Sequence, residues 1–184
     1  GVAGDATHIL RRMMTRGLDN IAVATIWDPV AVTFCHAAGE GAQINLRIGG
    51  KSGPEGGDPL DLRVTVAKVF DAGWQSFQNS RVTLGSTAVI RPVGTNIDIL
   101  LITSRTQTYE PDIFTNQGVE LSGKSYLLIK STNHFYAGFQ PISSEIVYIA
   151  APTSYPTDPA ITPYRKASLE LWPRVADPLG LDDA

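Results

Sequence analysis

Four short polar segments hold side chains that could do chemistry together. They are Gly1-Val2-Ala3-Gly4-Asp5-Ala6-Thr7-His8, Gly49-Gly50-Lys51, Ile102-Thr103-Ser104-Arg105 and Lys130-Ser131-Thr132-Asn133-His134-Phe135. Each lies at or beside the end of an apolar run, where an α/β sheet presents side chains to a crevice. Lys130, Ser131 and His134 put a cation, a hydroxyl and an imidazole within one turn, a set able to bind a carboxylate or stabilise an oxyanion. Arg105 could clamp a carboxylate through two parallel hydrogen bonds; its structural alternative is a salt bridge with Asp98 or Glu110. Asp5 stands three residues before His8, so the pair could share a ligand, or Asp5 could cap a helix. Lys51, in a glycine turn, reads by itself as one exposed lysine.

Several familiar patterns are excluded. Gly49-Gly50-Lys51-Ser52 lacks the earlier glycine of a phosphate loop, Asn45 standing there, and Gly53-Pro54 follows where a helix is required. Gly39-Glu40-Gly41 lacks the third glycine of a dinucleotide fingerprint and leads into a strand. The histidines His8, His36 and His134 have no zinc-ligand spacing, and Cys35 and His36 are adjacent. His36 reads as an ordinary helix residue. No Gly-x-Ser-x-Gly elbow is present, and Gly85-Ser86 falls inside a strand pattern.

The elements that must position these residues follow from periodicity. Asp5-Ala6-Thr7 can cap a helix whose apolar positions are Ile9, Leu10, Met13 and Met14, with Gly17 ending it. Ile21 to Ile26 reads as a buried strand, and Pro29 to Ala38 as a helix with proline at its first position. Ile44, Leu46 and Ile48 alternate with polar residues, as do Leu62, Val64 and Val66 and parts of Val82 to Ile90. With no helical pattern between them, these strands could form an antiparallel meander. Gly49 to Pro59 must be a loop. Ile97 to Ile102, a nearly continuous apolar run, and Tyr126 to Ile129 are expected as neighbouring parallel strands buried on both faces, so Arg105 and Lys130 should emerge at one edge. Pro111 to Gln117 is short and helical, and His134 to Phe139 opens a helix or tight turn. The prolines beyond Ala151 predict a surface tail, 152–184, without regular structure. The fold class is therefore α/β, a mixed sheet with packed helices in a single domain.

Composition narrows the partners. Fifteen Lys and Arg against eighteen Asp and Glu give a formal charge of −3, with no cationic block to track a phosphate backbone, so nucleic acid is not an expected partner. No segment approaches the roughly 18 apolar residues of a membrane span. A lone Cys35 excludes an internal disulfide and suits a reducing compartment, which points to the cytoplasm.

In order and spacing, the four motifs resemble the C-terminal domain of the MlrC-type (microcystinase C-like) zinc metallopeptidases, from Gly1 to about Trp172. The resemblance implies that the chain is a fragment, its Gly-Val-Ala-Gly start being the tail of a longer glycine-rich loop. It also implies a zinc-dependent peptidase whose N-terminal domain, outside this chain, holds the metal, so no metal ligand is expected here. This chain would then supply one wall of the catalytic cleft. On this reading His134 contacts the transition state, and Asp5, Lys51, Ser104, Arg105, Lys130 and Ser131 bind substrate. The partners implied are a peptide or small amide, the chain's own N-terminal domain, and possible copies of itself in a homo-oligomer. The family acts on peptides including linearised microcystin. Relatives commonly read Ser-Arg-Arg-x-Gln where this chain has Ser104-Arg105-Thr106-Gln107, and Arg where it has Tyr136; losing a second cation at both places implies a different or less acidic substrate. A non-catalytic binding or interaction domain of the same fold is the alternative.

Overall fold

A computed structural model describes residues 4–152, 158, 160, 162–167 and 169–179. Six strands, β1 (Ile21–Trp27), β2 (Gln43–Ile48), β3 (Leu60–Phe77), β4 (Ser80–Pro92), β5 (Ile97–Ile102) and β6 (Tyr126–Ile129), join in one sheet of order β2-β3-β4-β5-β1-β6. Neighbouring strands from β2 to β5 pair antiparallel, while β1 pairs parallel with both β5 and β6. The sheet is thus mixed, an antiparallel meander continued by a parallel edge. The helices are α1 (His8–Thr15), α2 (Pro29–Ala38), α3 (Asp112–Thr115) and α4 (Tyr136–Phe139).

Apolar alternation builds a core on each face. Ile97, Ile99 and Leu101 of β5 join Leu10 of α1 and Val32 and Cys35 of α2 on one side. Leu100 and Ile102 join Ile113 and Phe114 of α3 and Phe135 and Phe139 on the other. All six residues of β5 are therefore buried, which is why that segment carries no polar alternation. The α1 stripe works the same way: Leu10 is buried and Met13 and Met14 pack on the first core. At the α2 start, Asp28 accepts a hydrogen bond from the backbone N–H of Ala31 at 3.1 Å, and Pro29 needs no donor.

Three expectations change. The strands β5 and β6 are parallel to one another but not neighbours, because β1 lies between them. The Tyr126–Ile129 run is not covered on both faces: it is the sheet's edge, with Tyr126 exposed and Leu127, Leu128 and Ile129 half-buried. Asp5 does not cap α1. Thr7 occupies that position without a side-chain cap bond, because its hydroxyl donates to the Asp58 carbonyl at 2.7 Å. The expected tail, 152–184, is described in part; residues 1–3, 153–157, 159, 161, 168 and 180–184 lie outside the described residues, and the described remainder carries no helix or strand. Among the described residues no helix is long and apolar enough to cross a membrane.

Candidate functional site

The carboxyl ends of β5, β1 and β6 all point the same way; β5 and β6 lead into polar loops and β1 leads through Asp28 into α2. Beside them lies a crevice of about 1310 Å³. Its polar lining includes Asp5, His8, Arg105, Lys130 and Ser131. Four of the seven candidates, Asp5, Arg105, Lys130 and Ser131, thus share one cavity although 126 residues separate the first from the last.

Two carboxylates fix the loop beneath it. Asp5, 5% exposed, accepts from the backbone N–H of Lys51 at 2.5 Å and of Ser52 at 2.8 Å, while its carbonyl accepts from Gly50. Asp28, 3% exposed, accepts from the N–H of Gly49 at 2.9 Å and from the Lys51 ammonium at 2.7 and 2.9 Å. Glycine is required where the loop meets the N-terminal segment. Gly49 has φ +60°, and a Cβ there would stand 2.5 Å from the Asp5 carbonyl. The loop then runs into a turn of 3₁₀ helix at Pro54–Gly56, a geometry unlike a phosphate loop, whose glycine turn opens an α-helix. His8 is held at the crevice by contact with the Glu55 carbonyl at 2.9 Å.

Lys130 follows β6 directly. Its ammonium donates to the carbonyls of Ala6 at 2.7 Å and Gly4 at 3.2 Å, tying the N-terminal segment to the end of the sheet. Burial pushes its pKa down from 10.5 to about 8, although Asp5 pulls the other way. Ser131 donates to the Gln107 side-chain oxygen at 3.0 Å. The Arg105 guanidinium sits 5.6 Å from the centre of the Trp27 ring, a cation–π contact. The salt bridges of Asp98 are to Arg91 at 2.7 Å and Lys124 at 2.8 Å, at the opposite end of β5.

Lys51, Ser104 and His134 are not among the residues lining the crevice. Lys51 makes its ion pair with Asp28 and also donates to the Arg47 carbonyl at 2.9 Å. Ser104 lies against the β4 turn at Gly85, its N–H bonded to the Leu84 carbonyl at 2.9 Å. The exposed His134 packs its ring edge-on to Phe77 at 5.2 Å and against Tyr109 at 6.0 Å, under the end of the β3–β4 hairpin. The turn after Lys130 sends residues 131 and 134 in different directions. His36 bonds the Thr87 carbonyl at 3.1 Å from within α2. The residue that sequence reasoning missed is Asp28: its place before Pro29 marks it as a helix cap, but its bonds to Gly49 and Lys51 come from tertiary structure.

The family model described as MlrC C-terminus matches residues 1–166. The chain belongs to that family. Microcystinase C of Sphingomonas sp. is 35% identical over 173 residues, which is 94% of this chain and 33% of that protein. This MlrC C-terminal chain therefore spans about a third of the length of that relative. A crystal structure named "Putative metallopeptidase", from Mesorhizobium sp. BNC1, has the same fold with a TM-score of 0.66 at 22% identity, covering 77% of this chain and 29% of that one. Among the described residues no three His, Cys, Asp or Glu side chains come together as a ligand set for a metal.

Proposed function

We propose that the full-length protein is a zinc-dependent peptidase of the microcystinase C type, and that this chain forms one wall of its cleft while the metal is held by an N-terminal domain. The observation that carries this reading is the crevice at the carboxyl ends of the parallel strands, where Arg105, Lys130, Ser131 and Asp5 converge; the 35% identity to Microcystinase C supports it. Arg105 and Lys130 bind carboxylates or carbonyls of a peptide or small amide, and Ser131, aimed by Gln107, adds a hydroxyl. Asp5 and Lys51 set the position of the loop. Ser104 shapes the turn that presents Arg105. His134, exposed and without a side-chain hydrogen bond among the described residues, is the imidazole presented to the oxyanion from the neighbouring surface. The protein works in the cytoplasm on this reading.

Hydrolysis of a linearised peptide by the full-length protein, stripped of metal and then resupplied with zinc, tests the proposal. Cleavage that is lost and restored supports it. A protein that binds the peptide without cleaving it in any metal would instead be the non-catalytic binding module.

A further inference from the structure

The edge strand β6 carries hydrogen-bonding groups inside the crevice that no described residue uses. Tyr126 and Lys130 donate their backbone N–H groups to Asn20 and Ala24 on the β1 side. In a parallel strand the N–H and C=O of one residue point the same way and alternate along the chain, so those of Leu127 and Ile129 point away from β1. Among the described residues nothing pairs with them. Leu127 and Ile129 line the crevice, and the facing wall, residues 142–152, presents Val147, Tyr148 and Ile149 at 66%, 65% and 59% exposure. An edge with an apolar wall opposite is the geometry that accepts an added strand, main chain giving affinity and alternate side chains filling pockets. Two cationic side chains that line the same crevice, Lys130 and Arg105, stand at the carboxyl end of the strands, the end where a bound peptide's terminal carboxylate is complemented.

We propose that the crevice takes an extended apolar peptide with a free C-terminal carboxylate, which adds to β6 as a parallel strand with its carboxylate toward Lys130 and Arg105. This rests on the peptidase reading and names the substrate class and pose at that site. The four residues of β6 span roughly 13 Å at about 3.3 Å each, so about four residues of peptide pair along it.

The test uses the full-length protein with EDTA present, so that the probe survives, and a fluorophore-labelled Val-Leu-Val-Leu peptide read by anisotropy. Three analogues are compared with it: the C-terminal amide, and two peptides N-methylated at alternate residues. Only alternate amides of an added strand face β6. One methylated peptide should therefore weaken about tenfold or more while the other stays within about threefold, and the amide should weaken about tenfold. Hydrogen exchange at the Leu127 and Ile129 amides should slow on binding of the carboxylate peptide. Equal effects of the two methylation patterns, or indifference to amidation, overturns the proposal. So does exchange at the Leu127 and Ile129 amides that is already slow without peptide, since the edge is then covered by the protein's own chain. Hydrolysis measured separately with metal distinguishes the two readings: alternation without cleavage leaves this inference and removes the peptidase, and cleavage without alternation does the reverse.

Discussion

Lys130 gives the stability of this protein a specific pH signature. Its ammonium is taken out of water at the end of β6 and compensated by two carbonyls and by nearby Asp5. Below pH 8 both folded and unfolded chains hold the proton, so stability does not depend on it. Between about 8 and 10.5 the unfolded chain binds more protons than the folded one, so stability rises with pH through that window. The gap between 10.5 and about 8 is worth about 3 kcal/mol in full. Other lysines and tyrosines also titrate there, and the difference between the protein and Lys130→Met removes them. Urea unfolding at pH 7.5 and pH 11 should show the wild-type midpoint gaining about 1.5 M relative to the variant, taking a slope of about 2 kcal/mol per molar. Parallel midpoints across the window would mean that Lys130 is solvated in the folded state, and the account of how the N-terminal segment is tied down would be wrong.

Other outcomes follow from the same contacts. Asp28→Ala removes a helix cap and leaves the Gly49 N–H and Lys51 ammonium unmatched, so thermal unfolding should show a loss of about 3 kcal/mol, whereas a change below about 1 kcal/mol would deny the loop its buried anchor. Gly49→Ala forces a side chain to φ +60° and against the Asp5 carbonyl; it should cost about 2 kcal/mol or more in the same assay, and a neutral result would place the loop elsewhere. His134→Ala in the full-length protein should lower kcat about a hundredfold with little change in melting temperature. A fall in melting temperature with kcat per folded molecule unchanged would assign His134 to packing against Phe77 and Tyr109 alone.

Much of this fold is legible in the sequence because local rules and burial agree. The strand Ile97–Ile102 is apolar but for Asp98 since both faces are covered, and the Asp28-Pro29 step announces α2. The strand Tyr126–Ile129 shows the limit of that reasoning: an apolar run at a free edge beside a crevice looks the same as one in the middle of a sheet. Asp5 shows another limit. A carboxylate three residues before α1 satisfies the local rule for a cap, yet the backbone donors of Lys51 and Ser52, some 46 residues on, claim it. Periodicity placed Arg105 and Lys130 at strand ends, but the turn after β6, which carries His134 away from the crevice lining, is set by ring packing that no spacing encodes.

The central claim is that this crevice binds the carboxylate end of a peptide for a peptidase, and Arg105 tests it most directly. Hydrolysis by the full-length protein should be measured for Arg105→Met and wild type on two forms of one peptide, with a free C-terminal carboxylate and with the amide. Because a guanidinium–carboxylate pair is lost only with the first, kcat/KM should fall about thirtyfold or more on the carboxylate form and less than about threefold on the amide. Equal losses on both forms, or no loss on either, would contradict the account.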